Sequence, residues 1–239
     1  MGDLGNVAGG RVCLVVARAG ERRLDAGFVR RWLECAAAKF AEHRDHLTQL
    51  DAAIGDADHG VNMDRGFGVV LAKLSDGDAR APGPMLEASG TALILSVGGA
   101  AGPLYGSAFR GMGRALGDRA VFDAEDLLAA LRTALAEIQH IGAASEGDKT
   151  IVDAFVPALA GFERGLRAGE SFPSAARRAR QAAEEGMRAT IPMHARKGRA
   201  SYLGPRSVGH QDPGATSTEL LFEALEQAAD ETDGAGDTP

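Results

Sequence analysis

The chain has 239 residues, enough for one large domain or two small ones, so peptide-sized and disulfide-stapled classes are excluded. Its 45% hydrophobic and 25% charged residues match an average soluble globular protein, while aromatic residues are scarce at 5% and Gly is abundant at 32 residues. The net charge of −7 and the lack of a long basic stretch argue against a nucleic-acid-binding protein.

Two cysteines, Cys13 and Cys35, are too few for a disulfide framework or a tetrahedral cysteine zinc site, which favours a reducing compartment. The apolar run from Cys13 to Ala17 is too short for the hydrophobic region of a signal peptide. No segment reaches the roughly 20 apolar residues of a membrane span. We therefore expect a cytoplasmic protein that makes no membrane contact.

Apolar residues at helical spacing follow one another from Ala26 onward and predict an all-α domain, a bundle or barrel of eight amphipathic helices. The first four predicted helices run from Ala26 to about Leu50, from after His59, from after Pro82-Gly83-Pro84 to Gly98-Gly99, and from near Pro103. The last four begin after the N-cap Asp123, run from Val152 to Leu166 and from Pro173 to about Thr190, and begin at a capping box at Thr216.

The predicted domain spans residues 24–229. Residues 1–23 fit no helical pattern and form an N-terminal extension, which is an ordered segment, a flexible arm or an artefact of the start codon. Residues 230–239 are polar, small and acidic, a composition that predicts a flexible tail.

Three carboxylates, Asp51, Asp56 and Asp58, lie within eight positions in a loop that contains Gly55. Carboxylates this close repel one another unless a cation lies between them. Hard oxygen ligands of this kind suit Mg²⁺, which binds carboxylates together with phosphate oxygens and water. The alternative is a solvated acidic turn in which Asp58 caps the following helix. Composition alone leaves both interpretations open.

Gly98-Gly99-Ala100-Ala101-Gly102-Pro103 forms a turn of small residues that leads into a predicted helix. Such a turn lets backbone N–H groups approach a phosphate at a helix N-terminus. Taken alone, such a segment is more often a tight turn between helices that needs Gly for positive φ. The spacing is not that of a P-loop.

The segment from Gly198 to Ala215 is a long loop between two predicted helices and is rich in glycine and arginine. Loops this long are usually functional or disordered, and its Tyr and Leu residues argue against disorder. An arginine here suits a bidentate phosphate contact, although a surface ion pair is the commoner role.

Together these clusters resemble the nucleotide-binding L subunit of dihydroxyacetone kinase, over roughly Trp32 to Leu225. The resemblance rests on four motifs in the family's order and spacing: LDAAIGDADHGVNM, GGAAGPLYGSAF, GDKTIVDAFVPAL and GRASYLGPRSVGHQDPGA. It implies a barrel of eight antiparallel helices with the nucleotide site at one end. It also implies that Asp51, Asp56 and Asp58 hold two Mg²⁺ ions that bridge to the phosphates of ADP or ATP.

The resemblance further implies a set of nucleotide-binding residues, with Arg199 also the catalytic residue and Thr150 and Ile151 at the adenine end. These residues are His59, Gly60, Val61, Asn62, Ala100, Ala101, Thr150, Ile151, Arg199, Asp212, Pro213 and Gly214. Two positions depart from the family pattern. Ala101 replaces a common Ser, so a hydroxyl bond to phosphate is lost, and Ile151 replaces a common Met, which preserves apolar packing.

The implied reaction is phosphoryl transfer to dihydroxyacetone, which the family holds on a separate K subunit through a covalent bond to a histidine there. We therefore assign no acid or base to this chain. A chain with only the L domain resembles systems in which bound ADP is recharged by a phosphotransferase-system M subunit. The alternatives are an L subunit of an ATP-dependent kinase for another ketose or triose, or a nucleotide-sensing regulatory module that binds a transcription regulator.

Overall fold

The computed structural model describes residues 23–76 and 81–234. The predicted N-terminal extension, up to residue 22, and the end of the predicted tail, residues 235–239, lie outside that part of the chain. The described residues are almost entirely helical, so the all-α prediction is confirmed. The helices are α1 (Ala26–Glu42), α2 (Arg44–Ile54), α3 (His59–Asp76), α4 (Pro82–Ser96), α5 (Ala101–Leu116), α6 (Ala124–Gly142), α7 (Val152–Arg167), α8 (Phe172–Ala189) and α9 (Pro213–Gly234), with a 3-10 helix at Arg199–Ser207.

The prediction of one continuous helix from Ala26 to about Leu50 was wrong. The chain leaves the helical conformation at His43, which has φ −96° and ψ 10° and separates α1 from α2. Helices α1 and α2 both pack against α3 and α9, and α2 in addition contacts the 3-10 helix. The apolar spacing continues through the break because both helices bury a face, so periodicity alone does not reveal the change of direction.

The predicted capping box at Thr216 was also wrong, because α9 begins at Pro213. The Asp212 carboxylate accepts a hydrogen bond from the backbone N–H of Ala215 at 2.7 Å, and the Thr216 hydroxyl donates to the Asp212 backbone oxygen at 2.7 Å. An Asp followed by Pro is a favoured helix start, since the carboxylate caps and the proline needs no N–H partner. At the other end α9 runs to Gly234, past the predicted start of the tail at residue 230.

Two short strands, β1 (Leu24–Asp25) and β2 (Val121–Phe122), pair antiparallel beside the starts of α1 and α6. At two residues each they are too short to show strand periodicity, which is why the sequence did not predict them. Asp25 also caps α1, with its carboxylate accepting from the Phe28 N–H at 3.0 Å. The predicted N-cap at Asp123 is confirmed, and it forms a reciprocal capping box with Asp126.

A single large core runs between the helices, and α4–α5, α7–α8, α8–α9 and α1–α9 are among its main pairs. Small residues let α4 and α5 approach closely, since a Cβ on Gly90 or Gly106 would overlap the backbone oxygen of the other. Trp32 packs on Phe109 and donates its indole N–H to the Leu221 oxygen at 3.0 Å. The packing of the helices against one another determines where their ends meet.

None of the helices in the described residues is both long and apolar enough to cross a membrane.

Candidate functional site

A cleft of about 250 Å³ lies where four helices begin. The residues at or beside the starts of α3, α5, α7 and α9 line it, among them His59, Ala101, Val152 and Pro213. The first turn of a helix has N–H groups without intrahelical partners and carries the positive end of the helix dipole. Four such ends at one cleft favour a polyanionic ligand such as a nucleotide phosphate chain.

The three predicted metal ligands lie together at this cleft. Asp51 is in the last turn of α2, and Asp56 and Asp58 follow in the loop before α3. One carboxylate oxygen from each lies within 4.8 Å of the others. The set offers hard oxygen donors, one from a buried and two from exposed residues, which fits the ligand preference of Mg²⁺.

Asp51 also shapes the loop. Its Oδ2 accepts hydrogen bonds from the backbone N–H groups of Asp58 at 2.9 Å and His59 at 3.2 Å. Asp51 therefore takes the capping role that the sequence had left open for Asp58. Within residues 23–76 and 81–234 the Asp58 carboxylate accepts no hydrogen bond, so a helix-capping role does not explain its presence.

The glycine turn forms a second wall of the cleft. Gly99 has φ +64°, a left-handed conformation that favours glycine. Gly98 packs on the Asn62 amide, where an added Cβ would lie 3.2 Å from the side-chain nitrogen. The N-cap of α5 is Ala100, and no side chain in the described part of the chain caps this helix. The first N–H groups of α5 therefore stay available to a ligand in the cleft.

A third wall comes from the turn before α7. The Asp153 carboxylate accepts hydrogen bonds from the N–H groups of Gly147 at 2.5 Å and Thr150 at 2.7 Å. These bonds place Thr150 and Ile151 at the cleft. Other apolar residues also line the cleft: Ile54, Leu104 and Ile138 on helices and Ala144 in the loop after α6. The cleft thus combines an apolar part with a strongly charged part.

His59 is a half-buried polar residue at the start of α3. Its Nε2 lies 2.9 Å from the Ser217 hydroxyl, which lies 2.7 Å from the Tyr105 hydroxyl. Burial lowers the pKa of His59, although Asp51 and Asp58 raise it. The Ser217 hydroxyl of α9 and, through it, the Tyr105 hydroxyl of α5 orient the imidazole at the cleft.

The segment before α9 closes the cleft. Arg199, at the start of the 3-10 helix, forms an ion pair with Asp56, with Nη2 to Oδ2 at 3.0 Å. Asp212 is buried, and burial, above all other effects, raises its pKa to about 7. Pro213 and Gly214 follow it at the cleft wall.

The structure brings most of the predicted site residues to the cleft, but not Gly60 or Val61. A Cβ at Gly60 would overlap the Arg44 backbone oxygen, so this glycine allows α2 and α3 to pack closely. The Val61 side chain is 47% exposed on the surface. Neither residue lines the cleft, so the structure does not support the expectation that they contact the ligand.

Sequence reasoning missed Lys149, Lys197 and the apolar residues Leu104 and Ile138, which also line the cleft. Leu104 and Ile138 occupy ordinary positions in helical stripes, so no local signal sets them apart. Lys149 stands inside the GDKT motif, and that motif was the available signal.

The chain matches the DAK2 domain family over residues 53–227. It is 42% identical over 200 residues to the "PEP-dependent dihydroxyacetone kinase, ADP-binding subunit DhaL" of Escherichia coli (strain K12), covering 84% of this chain and 95% of that protein. It is 36% identical over 202 residues to the "D-erythrulose kinase" of Mycolicibacterium smegmatis, covering 83% of this chain and 34% of that larger protein.

Among solved structures, the fold is similar to that of the dihydroxyacetone kinase from C. freundii in complex with AMP-PNP and Mg²⁺. The TM-score is 0.67 at 24% identity, and the match covers 95% of this chain and 38% of that chain. The chain thus spans nearly the whole length of the separate bacterial subunit and about a third of the larger kinases.

Proposed function

Since the chain belongs to the DAK2 domain family, in agreement with the dihydroxyacetone kinase resemblance of its motifs, we propose that it is the nucleotide-binding subunit of such a kinase. It carries Mg²⁺-ADP or ATP and passes the phosphoryl group to dihydroxyacetone held on a separate K subunit. One observation carries the proposal: four helix starts and three carboxylates meet at one cleft. The helix starts suit phosphate, and the carboxylates suit Mg²⁺.

Asp51, Asp56 and Asp58 would hold two Mg²⁺ ions, which supply positive charge to the phosphates when bound. Asp51 acts as ligand and as the acceptor that fixes the loop, because its buried carboxylate already binds two backbone N–H groups. The loop is thereby held in one conformation before a ligand arrives. Preorganised groups of this kind give phosphoryl transfer most of its rate enhancement.

Arg199 is the proposed catalytic residue. Its guanidinium lies 3.0 Å from Asp56 at the carboxylate cluster, so it is already beside the place where phosphate oxygens would sit. Its several N–H donors suit a phosphoryl group that gains negative charge on its oxygens. Ala100 and Ala101 offer backbone N–H groups, and His59 and Asn62 complete the phosphate side of the cleft.

The apolar wall beside Thr150 and Ile151 is the proposed adenine site. Ile151 is buried and packs beside Gly214, where an added Cβ would lie 3.1 Å from its side chain. Asp212 and Pro213 close the same side. No residue of this chain is needed as an acid or base, because the sugar is activated on the K subunit.

We propose that a phosphotransferase-system M subunit recharges the bound ADP. We also propose that the chain works in the cytoplasm. The supporting observations are the phosphoenolpyruvate-dependent kinase to which the E. coli relative belongs and the near-complete coverage of that separate subunit. The second candidate is an L subunit of an ATP-dependent ketose kinase. The match to part of D-erythrulose kinase favours that candidate.

Reconstitution tests these proposals. The chain is mixed with a K subunit and dihydroxyacetone, and either ATP or phosphoenolpyruvate with the general phosphotransferase proteins and an M subunit. Formation of dihydroxyacetone phosphate is measured against mixtures that omit this chain or replace the ketose with erythrulose. We expect chain-dependent product with phosphoenolpyruvate. Product with ATP alone favours the second candidate, and no product with either donor contradicts both.

A further inference from the structure

Lys149 is the buried cation of the cleft wall. It is 1% exposed, although lysine is among the residues least often buried. Within the described residues no carboxylate forms an ion pair with it. Its Nζ instead donates to three backbone oxygens, those of Met193 at 3.2 Å, Ser207 at 2.6 Å and His210 at 2.5 Å. An ammonium has three N–H donors, so all of them are used.

The three acceptors belong to one segment, residues 191–210, which contains the 3-10 helix and Arg199. They lie near the two ends of that segment rather than at its middle. The ends also meet through a backbone bond from the Gly209 N–H to the Ile191 oxygen at 2.8 Å. A second backbone bond, from the Arg196 N–H to the Asp148 oxygen at 3.0 Å, joins the segment to the turn that carries Lys149. Lys149 thus lies inside the base of a closed loop.

Lys149 is itself held from the other side. Its φ is +62°, in the left-handed region that non-glycine residues rarely adopt. The turn around it is fixed by Asp153, whose carboxylate binds the N–H groups of Gly147 and Thr150. Burial lowers the pKa of Lys149, and nearby Asp212 opposes this effect. Lys149 thus combines the burial of a charged ammonium group, which is unfavourable, with a backbone conformation that is uncommon for lysine.

We propose that Lys149 is a positioning residue that anchors the 191–210 segment and so holds Arg199 at the carboxylate cluster. This inference rests on the proposed function for the role of Arg199, but the anchoring itself does not require a nucleotide. The chain of contacts is continuous, from Asp153 through the turn to Lys149, across three carbonyls to the loop base, and along the loop to Arg199 and Asp56. The adenine side of the cleft is thereby tied to its phosphate side.

Limited proteolysis tests the anchoring without any nucleotide. Trypsin sites lie within the segment at Arg196, Lys197, Arg199 and Arg206. We expect Lys149→Met to raise cleavage at these sites at least tenfold at a temperature where the protein stays folded. Lys73→Met, which removes an exposed lysine from α3, is the matched control and should leave the rate unchanged. An unchanged rate in a folded Lys149→Met variant overturns the proposal.

If Lys149→Met does not fold, Lys149→Arg serves for the same measurement. It keeps the charge, but a planar guanidinium cannot direct three donors as the ammonium does. We then expect at least threefold faster cleavage within the segment. Cleavage as slow as in the parent protein would show that charge alone suffices and would overturn the anchoring role.

The dissociation rate of Mg²⁺-ADP tests the link to Arg199. Lys149→Met should accelerate release at least fivefold in the parent, but less than twofold when Arg199 is already replaced by Ala. Equal acceleration in both backgrounds overturns the positioning role, because two groups that act separately multiply their effects. If the parent binds no nucleotide at all, the proposed function fails, while the proteolysis result still decides the anchoring.

Discussion

Replacing Asp58 or Asp51 by Asn distinguishes a residue that only binds metal, Asp58, from one that also fixes the loop, Asp51. Both carboxylates offer an oxygen within 4.8 Å of the others in the cluster. Asp58 accepts no hydrogen bond within the described residues, whereas Asp51 accepts two from the backbone. Asn has the size of Asp and one remaining acceptor oxygen, so the substitution removes mainly the charge.

The magnitudes follow from these contacts. Two unit charges 4.8 Å apart repel by about 1 kcal/mol in water. Without Mg²⁺, Asp58→Asn should therefore leave the free energy of unfolding unchanged or raise it by up to about 1 kcal/mol. Asp51→Asn should lower it by about 1–3 kcal/mol, because hydrogen bonds to a charged acceptor are stronger than those to a neutral one.

Nucleotide binding should respond differently. Either substitution removes an anionic Mg²⁺ ligand, and we expect Mg²⁺-ADP affinity to fall by about 100-fold, or roughly 2.7 kcal/mol. Calorimetric titration of EDTA-stripped protein measures affinity, and urea unfolding without Mg²⁺ measures stability. Asp45→Asn on α2 is the control, since its exposed carboxylate pairs with Arg44 and lies outside the cluster. If Asp58→Asn binds Mg²⁺-ADP as tightly as the parent, its assignment as a metal ligand is refuted.

Three further predictions use other parts of the site. Because burial raises the pKa of Asp212 to about 7, the folded chain keeps a proton that the unfolded chain releases near pH 4, and stability should fall as pH rises from about 4 to 7. Asp212→Asn should lessen that fall and be more stable than the parent by of the order of 2 kcal/mol at pH 8 without nucleotide; equal pH profiles in urea unfolding would contradict this. Tyr105→Phe should cost about 1–2 kcal/mol in the same assay, since its buried hydroxyl contacts Ser217 and Thr218, while Tyr202→Phe, at an 88% exposed side chain, should cost nothing. Mg²⁺-ADP at a hundredfold excess over its Kd should stabilise the parent by about 2.7 kcal/mol, and excess EDTA should reverse the gain in melting temperature; a melting temperature indifferent to both would count against the site.

The sequence predicted the parts of the fold that depend on local patterns. Apolar spacing located the helices, and the carboxylate, glycine and arginine clusters located three of the segments that line the cleft. It missed the break at His43, because apolar residues keep their spacing on both sides of it. It placed the start of α9 at Thr216 because two cap signals stand close together, and only the fold shows that Asp212 is the one used.

Contacts between distant segments were beyond such patterns. Gly60 stands beside the carboxylates and was assigned to the ligand, but close packing on the Arg44 backbone is what requires it. The buried position of Lys149 depends on carbonyls 44 to 61 residues further along the chain. The GDKT motif draws attention to Lys149, but nothing in its local sequence shows that the side chain is buried.

The most direct test of the central claim is the amount of adenine nucleotide that the cleft binds. The chain is stripped with EDTA, incubated with Mg²⁺-ADP, passed through a desalting column and denatured with acid, and the released nucleotide is quantified by chromatography. We expect close to one ADP per chain, retained only when Mg²⁺ is present and lost in Asp58→Asn. No bound nucleotide, together with no heat of binding at millimolar Mg²⁺-ADP, would contradict the proposal that this cleft is a nucleotide site.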